Sequence, residues 1–537
     1  MDEGMISCPS PEPQVLEDVP ELMQHIQSRL PVNAAAQTSM LSKSWLHAWS
    51  TIPILRFHVP EEQGRKQLKL VYIDNTLIRY LRDNIPIESF ELNIRLQRKE
   101  HASLAEQWIR SVATKTYLKE LSFRIKFDQV SMNLPDEIFS CVNITKIRVS
   151  ATDMKNHALW ITTSHQYPVI KCVSLRELHL WGVRISQQVL DHILSSCRLL
   201  VEIKLKYCSK DLNTIKVKGL PCLDKLEIFT FDRRHCPTME INNVPNLRLL
   251  SCNLCPLGHT VMRLVSFNNT HSISLGNSVT QLWLGGPGLV RDDASLYIIK
   301  SGLPFLKSLT LNLTYWTLGS FHFACASITR FSLMSWPDSL INIQINAPKL
   351  FFFSLYGCTM PSLSFPLSTT PEEITFRMIP WRTFDASFLL KMREALKLSR
   401  KCYVHIAPCW DSKPRPPLNM DLLDDLKTRL QFPPATNVET LSFETSQDEC
   451  QWESSPFFHA FFEICHPKQV IVKPDVCKMM LGEVFEKKTK IAAYWPNYLK
   501  HVQKRRPHER WDTLTDSHPI FLDGSRPYYA DFKLEWS

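Results

Sequence analysis

The stretch LRELHLWGV, residues 175–183, decides the fold of this chain. Leu175, Leu178 and Leu180 follow the order apolar-x-x-apolar-x-apolar, whose final positions alternate as in a strand with one buried face. Starts of such segments recur at roughly 22 to 27 residues, and each segment can bury its apolar face only against its neighbours, which predicts a leucine-rich-repeat solenoid with one strand per turn. The further copies are LVEIKLKYC from Leu200, LDKLEIFTF from Leu223, LRLLSCNLC from Leu247, LKSLTLNLT from Leu306, ITRFSLMSW from Ile328 and LFFFSLYGC from Leu350.

The repeats extend over most of the chain. Weaker copies begin at Leu118, Ile144 and Val279. A proline two residues earlier precedes several strands, where it sets the turn without removing a hydrogen bond from the sheet. We therefore expect an α/β chain in which residues 58–405 form a curved solenoid with a parallel sheet. The prolines in question are Pro221, Pro245, Pro304 and Pro348.

The segment before the repeats predicts three short helices. The first ends at Pro31, and Ala34 begins the second. Three short helices bury little apolar surface alone, so they need the following repeats or a partner protein to cover them. Apolar residues recur every four positions in two of these helices, which places each set on one helical face: Leu22, Ile26 and Leu30, and then Leu41, Trp45 and Trp49.

The stretch VPELMQHIQSRLPVNAAAQTSMLSKSWLHAWSTIPILRF, residues 19–57, resembles the F-box of plant F-box/leucine-rich-repeat proteins. It shares the Ile-x-x-x-Leu-Pro helix, the Ala-x-x-Thr-Ser turn, Leu-Ser-Lys-x-Trp and a second Trp. It departs where Val19 replaces the usual Leu and where the stretch from Pro20 to Ile26 is one residue shorter. The resemblance implies that residues 16–57 are an F-box that docks a Skp-type adaptor and, through it, a cullin. The implied adaptor contacts are Val19, Pro20, Leu22, Ile26, Leu30, Pro31, Leu41 and Trp45. An alternative left open by the residues is that Leu41, Trp45 and Trp49 pack against the repeats.

Strand positions that point outward from the repeats are candidates for binding a target, because solenoids bind partners on the face formed by their sheet. Aromatic side chains among charges suit a protein partner. A shift of one residue in any strand would turn its outward positions inward. The predicted target-binding residues are Glu177, His179, Trp181, Lys204, Lys206, Lys225 and Phe229.

The two ends of the chain differ from the repeats. Residues 1–15 contain three prolines among polar residues and predict a flexible leader, and residues 406–435 predict a linker. Residues 436–537 predict a strand, a helix and a further strand. CHPK from Cys465 and KLEW from Lys533 resemble the terminal module of the same plant family, and the resemblance implies that this module caps the solenoid.

Composition and motifs point away from catalysis. Among only 14 glycines there is no phosphate-binding loop and no nucleophile elbow. Cys252 and Cys255 have the spacing of half a zinc site, but in the repeat they take positions along the buried wall, as do Cys208 and Cys358. We expect no cofactor and no metal.

Net charge and hydropathy limit the classes of partner that the chain is expected to bind. A net charge of +9 over 537 residues is too small to indicate nucleic acid binding. No apolar run predicts a membrane helix, and we expect an intracellular chain in the nucleus or the cytoplasm. The basic segment KHVQKRRPHER from Lys500 fits either a nuclear import signal or a solvated charged surface.

The sequence thus favours a non-catalytic substrate receptor of a Skp-cullin-F-box ubiquitin ligase, with a protein target of unknown identity. The alternative is an interaction scaffold outside any ligase, in which the three helices only cap the solenoid. Binding of the adaptor distinguishes the two hypotheses.

Overall fold

We analysed a computed structural model of the chain, which divides into two compact units. The first contains Met1–Glu227 and Met239–Val244, and the second contains Ile228–Thr238 and Pro245–Ser537. The structure describes residues 19–30, 32–59, 63–115, 117–128, 130–152, 159–161, 170–208, 212–230, 237–254, 272–286, 289–290, 296, 299, 303–314, 316–335, 340–366, 370–379, 385–407, 425–426, 428–429, 433–444, 456–473, 495–505, 511–513 and 531–537. The predicted leader, Pro31 and most of the predicted linker therefore lie outside the described residues.

The first unit begins with three short helices, as predicted. They are α1 (Pro20–Arg29), α2 (Val32–Thr38) and α3 (Lys43–Ser50). Helix α1 starts with proline, whose missing N–H costs nothing in a first turn, and Ser42 caps α3 by accepting a hydrogen bond from the Trp45 backbone N–H at 3.3 Å. Because α3 begins at Lys43, Leu41 precedes it, and the prediction of one helical face for Leu41, Trp45 and Trp49 is wrong for Leu41.

The remainder of the first unit alternates strands and helices. The helices are α4 (Gln63–Arg82), α5 (Lys99–Ala113) and α6 (Gln187–Ser196). The strands are β1 (Ile54–His58), β2 (Ser89–Leu96), β3 (Glu120–Phe127), β4 (Met132–Asn133), β5 (Lys146–Ala151), β6 (Leu159–Ile161), β7 (Glu177–Trp181), β8 (Val183–Ile185), β9 (Glu202–Lys206), β10 (Thr214–Lys218), β11 (Lys225–Phe229) and β12 (Thr238–Asn242). The division between the units falls within β11 and β12.

The main sheet of the first unit is parallel. Strands β1, β2, β3, β5, β7 and β9 pair in that order, each with the next, without a register shift. In β7, Leu178 and Leu180 are buried, while Glu177, His179 and Trp181 point the other way. This alternation confirms the register read from the repeat pattern.

The sequence pattern missed two features of the repeats. Short second strands form another parallel sheet from β4, β6 and β8. Helices α4, α5 and α6 were also unpredicted, although each has an apolar face that the unit buries; in α5 this face includes Trp108, Ile109 and Val112. The repeat pattern marks only the residues that recur in every turn, and these elements differ from one turn to the next.

The second unit continues the same type of strand. Its helices are α7 (Ala386–Leu396) and α8 (Pro456–Ile464). Its strands are β13 (Leu249–Asn253), β14 (Ser272–Ile273), β15 (Gln281–Gly285), β16 (Ser308–Asn312), β17 (Ser320–Ala324), β18 (Arg330–Ser335), β19 (Asn342–Asn346), β20 (Phe352–Gly357), β21 (Ser362–Ser364), β22 (Glu373–Met378), β23 (Lys401–Ile406), β24 (Val438–Glu444), β25 (Gln469–Lys473), β26 (Leu499–Arg505), β27 (Asp512–Thr513) and β28 (Asp531–Trp536).

The second unit also has a parallel main sheet, in the order β13, β15, β16, β18, β20, β22, β23, β24, β25. Its core is rich in phenylalanine: Phe331 and Phe353 are fully buried on adjacent strands, with ring centroids 6.0 Å apart. A smaller parallel sheet contains β17, β19 and β21. All ten strands read from the repeats, strong and weak, are therefore present in the two units.

The C-terminal residues extend the main sheet of the second unit with antiparallel strands. Strand β28 pairs antiparallel with both β25 and β26. The predicted strand, helix and strand are present as β24, α8 and β25. Strand β24 pairs directly with β23, with a register shift between Cys402 and Tyr403, so the repeat sheet continues into the predicted C-terminal module. None of the described helices is long and apolar enough to cross a membrane.

Candidate protein-binding surfaces

The three N-terminal helices share a very small core. Met23 and Ala48 are fully buried, Trp45 is 9% exposed, and half-buried Ile26 packs against them. Trp45 therefore packs between the helices, and its contact with an adaptor stays a prediction. Tryptophan has the largest apolar side chain, so its burial supplies much of the core that such short helices can form.

A buried glutamine that the sequence pattern did not identify joins all three helices. Gln27 is 1% exposed, and its Nε2 donates to Thr38 Oγ1 at 2.9 Å and to the Trp45 carbonyl at 3.2 Å. Gln24 adds a hydrogen bond from Nε2 to Thr51 Oγ1 at 2.8 Å. These bonds fix the helices relative to one another where apolar burial is scarce.

The same segment exposes large apolar side chains, on α1 and α3 and in the turn between α2 and α3. Leu22 is 44% exposed and Leu41 is 68% exposed, as a contact for a partner requires. Met40 and Leu46, which were not predicted, are 84% and 50% exposed. Exposed apolar side chains concentrated on a small segment are typical of protein-binding sites.

The other predicted contacts lie at the ends of α1. Val19 precedes the helix, and its carbonyl accepts from the Leu22 and Met23 N–H groups. Pro20 is exposed, and Leu30, which follows the helix, is half-buried. Helix α4 exposes a further apolar strip that sequence reasoning missed, consisting of Leu68, Val71, Tyr72 and Ile78.

The outward face of the first unit's sheet holds a network of ion pairs. Glu202 lies 2.7 Å from Lys204 and 3.2 Å from His179, and Glu227 lies 3.2 Å from Lys204 and 3.0 Å from Lys206. Lys225 joins this network from β11, with its Nζ 3.7 Å from Glu202. Lys146 and Arg148 bind Glu177 at 3.6 and 2.5 Å. Five of the seven predicted target-binding residues thus belong to this network: Glu177, His179, Lys204, Lys206 and Lys225.

The pKa values of this network follow from partial burial and close opposite charges. Burial acts to raise the pKa of Glu202, but hydrogen bonding by Lys204 and the neighbouring positive charges hold it below its usual value. The pKa of Glu227 is lowered in the same way, against burial, by Lys206 and Lys204. Burial, and then the charge of Lys204, lower the pKa of His179. At neutral pH His179 is therefore uncharged, while both carboxylates are ionised.

Two aromatic residues stand beside the network. Trp181 is 42% exposed, and Tyr207 packs edge-on against it with ring centroids 5.8 Å apart. Gly182 follows Trp181 with φ of +67°, and a Cβ there would lie 2.5 Å from the Ala151 carbonyl oxygen, so only glycine fits this turn. The seventh predicted residue, Phe229, lies in the second unit, where it packs edge-on against Trp283 at 4.7 Å.

The cysteines show the character of core residues. Cys252 is fully buried, and burial raises its pKa to about 12. Cys208 and Cys358, which the repeat pattern places at the position that Cys255 has in its own repeat, are also buried. Cys255 lies outside the described residues. Within the described ranges, no group of three or more His, Cys, Asp or Glu side chains is placed to hold a metal ion.

Parallel strands that recur with the sequence repeat, most of them with alternate residues buried, are consistent with a leucine-rich-repeat solenoid. Residues 105–252 match the family described as FBD-associated F-box protein At5g56370, LRR repeats. That match runs from Ala105 in α5 to Cys252 in β13 and includes the ion-pair network.

Known plant proteins are similar to the chain over longer stretches. FBD-associated F-box protein At5g56370 of Arabidopsis thaliana is 23% identical over 401 residues, which cover 71% of this chain and 88% of that protein. F-box/LRR-repeat protein At2g42720 of the same plant is 24% identical over 349 residues, 61% of this chain and 71% of that protein. Putative F-box/LRR-repeat protein At5g02930 of the same plant is 27% identical over 229 residues, which cover 42% of this chain and 45% of that protein. The predicted resemblance to plant F-box/leucine-rich-repeat proteins is confirmed.

Proposed function

We propose that the chain is the substrate receptor of a Skp-cullin-F-box ubiquitin ligase. Residues 16–57 would form the F-box that docks a Skp-type adaptor, the sheet of residues 58–405 would bind a protein target, and residues 436–537 would cap the repeats. This proposal is carried by apolar surface that the N-terminal segment exposes and that its small core cannot bury, at Leu22, Met40, Leu41 and Leu46.

The relatives support the same proposal, since F-box and leucine-rich repeat appear together in the names of At2g42720 and At5g02930. Such a receptor needs no catalytic residues. By holding the adaptor on one segment and a target on another, it raises the local concentration of the target near the ubiquitin-transferring subunit. The chemistry belongs to the other subunits. We propose that this takes place in the nucleus or the cytoplasm.

Capture of a plant Skp-type adaptor by the full-length chain tests the proposal. Met40→Asp and Leu46→Asp, combined, introduce two charges on exposed positions and leave Met23, Trp45 and Ala48 in place. We expect this variant to lose adaptor capture by at least about tenfold, because an unpaired carboxylate in an apolar interface costs more than 1.4 kcal/mol. The matched control is Leu199→Asp, which changes a leucine of similar exposure (42%) elsewhere in the first unit.

The outcomes separate the two hypotheses. Capture by wild type and by Leu199→Asp, with loss in the double variant, supports the substrate receptor. A folded wild-type chain that captures no adaptor would contradict it and would leave the three helices as a cap of an interaction scaffold. Circular dichroism of each variant establishes folding independently of binding.

A further inference from the structure

Strand β1 forms one edge of the first unit's main sheet. Within the described residues it pairs only with β2, which runs parallel to it. The apolar rows on the buried face of the sheet therefore end on this strand, at Leu55 and Phe57. An edge strand leaves one row of its backbone groups without partners from the sheet.

Two hydrogen bonds at the ends of β1 show which backbone groups face away from β2. The Pro53 carbonyl accepts from the Ser89 N–H at 3.1 Å, and the Val59 N–H donates to the Asn93 carbonyl at 2.9 Å. Because the N–H and C=O of one strand residue point to the same side and successive residues alternate, the even-numbered residues of β1 face the open edge. These residues are Ile54, Arg56 and His58. Among the described residues, none forms a hydrogen bond with the N–H or C=O groups of these three.

Helix α4 places an apolar surface beside this edge. The Tyr72 ring packs edge-on against Phe57 with ring centroids 6.3 Å apart, and Tyr72 remains 47% exposed. Leu68 lies one helical turn before Tyr72, and Val71 lies next to it on the same side of the helix; they are 74% and 51% exposed. The apolar strip of α4 thus begins where the buried face of the sheet ends.

The other side of α4 fixes the position of the helix. Leu70, Ile73 and Leu77 are at most 2% exposed, and Asp74 Oδ1 accepts a hydrogen bond from Trp108 Nε1 of α5 at 2.9 Å. The helix therefore cannot rotate to bury its exposed strip without giving up this core. In the part of the chain that the structure describes, the strip and the open edge both lack a partner element.

The edge and the strip together specify the chemistry of an occupant. A row of unpaired N–H and C=O groups is satisfied by the backbone of an extended chain that adds to the sheet as a strand. Side chains of an added strand alternate between the two faces, so every second one would point towards Tyr72 and Val71, which favour apolar groups there. Strand β1 has five residues, so the edge accepts a segment about 17 Å long.

The charge of Arg56 disfavours a second copy of this chain as the occupant. An antiparallel pairing that uses all five residues of β1 in both copies places Arg56 directly opposite Arg56 of the second copy, and like charges in that position are destabilising. Glu91, the ion-pair partner of Arg56, lies 3.7 Å away on β2, which is on the side away from that contact. A segment of a different protein can place an uncharged polar residue there.

We propose that the open edge of β1 binds an extended segment of a partner protein, which joins the sheet as a further strand and packs alternate apolar side chains against α4. The segment alternates apolar and polar residues. This binding surface is additional to those of the proposed substrate receptor, and the inference does not depend on that role.

Fluorescence anisotropy on the full-length chain tests the proposal. The probe is the fluorescein-labelled peptide Glu-Thr-Val-Thr-Val-Thr-Val-Thr-Glu, compared with the same peptide N-methylated at every amide between its two end residues. We expect the unmodified peptide to bind at least about tenfold more tightly, because methylation removes the N–H donors that would pair with β1.

Substitutions in the chain test the edge and the strip separately. Arg56→Pro removes an N–H that faces away from β2, so β1 keeps its hydrogen bonds with β2. We expect it to weaken peptide binding about tenfold relative to Arg56→Ala, the matched control that loses the same side chain and keeps the N–H. Tyr72→Asp should weaken binding by a similar factor, whereas Tyr117→Asp, at a tyrosine of similar exposure (55%) elsewhere in the first unit, should leave binding unchanged. Circular dichroism of each variant establishes folding.

Any of three binding results would overturn the proposal: equal affinity for the two peptides, equal peptide affinity of Arg56→Pro and Arg56→Ala, or equal weakening by Tyr72→Asp and Tyr117→Asp. Sedimentation velocity of the wild-type chain examines the second copy as occupant. A monomer supports the partner segment. A dimer that Arg56→Pro dissociates would replace the partner segment with a second copy and contradict the proposal.

Discussion

Two buried histidines near the C-terminus should make the second unit sensitive to mild acid. His459 and His466 are 3% and 5% exposed. His459 Nδ1 accepts a hydrogen bond from Trp495 Nε1 at 2.9 Å, and the His466 ring stacks on Trp536 with centroids 4.0 Å apart. Burial lowers the pKa of each histidine from 6.5 to about 4.

The lowered pKa values set the direction of the effect. Between pH 6.5 and pH 4 the unfolded chain binds protons at these two positions and the folded chain does not, so stability falls as the pH falls through this range. At pH 5.0 each histidine costs about 2 kcal/mol relative to pH 7.5, since one pKa unit corresponds to about 1.4 kcal/mol. Together they should lower the free energy of opening by about 4 kcal/mol.

Hydrogen exchange of the β25 amides Val470 and Val472, corrected for the intrinsic rate at each pH, measures this opening locally. His466→Phe keeps an aromatic ring against Trp536 and removes one titrating group, so it should remove about half of the pH dependence. His501→Gln, at an exposed position of β26, is the control and should keep all of it. Equal opening free energies of the wild type at pH 7.5 and pH 5.0, or full pH dependence in His466→Phe, would refute the reasoning.

Three further changes probe the first unit. Gly182→Ala should destabilise it by about 2 kcal/mol or more, because of its φ of +67° and the Ala151 oxygen 2.5 Å from the new Cβ; thermal unfolding measures this, and an unchanged Tm would contradict the turn geometry. Trp45→Ala should cost about 3 kcal/mol and remove hydrogen-exchange protection from residues 20–50 alone; protection that persists there would show that the small core does not hold the helices. Glu202→Gln should lower the free energy of unfolding by less than about 1 kcal/mol at pH 7, measured by urea unfolding, because the ion pairs of Glu202 are partly solvated. Because the pKa of Glu202 is lowered, this difference from wild type should shrink as the pH falls below 4.5, and it should also shrink in 1 M NaCl. A difference that grows in acid would contradict the lowered pKa.

The strands of the repeats could be predicted because their signal is local and repeated. Leu178 and Leu180 of β7 are buried for the same reason as Ile203 and Leu205 of β9, and the alternation assigns Glu177, His179 and Trp181 to the opposite face. The helices between strands, by contrast, differ in length and position from turn to turn, so no recurring spacing predicted α4, α5 or α6.

The N-terminal helices show the limit of helical spacing as a guide. A spacing of four residues predicted one face for Leu41, Trp45 and Trp49, but the cap at Ser42 begins the helix after Leu41. Helical spacing also does not distinguish a side chain buried in the core from one that is exposed to a partner protein. Trp45 is internal and Leu46, its neighbour, is half exposed, because α1 covers only one side of α3.

The sequence by itself determined the repeat, the outward or inward direction of most residues in the repeat strands, and the likeness to plant F-box/leucine-rich-repeat proteins, since each depends on residues close together along the chain. Only the tertiary structure decided which outward residues meet. Arg124 and Trp181 are 57 positions apart in sequence, and they align only because strand pairing carries one register through β3, β5 and β7. Pairing in register converts distant residues into a row, and no local pattern contains that information.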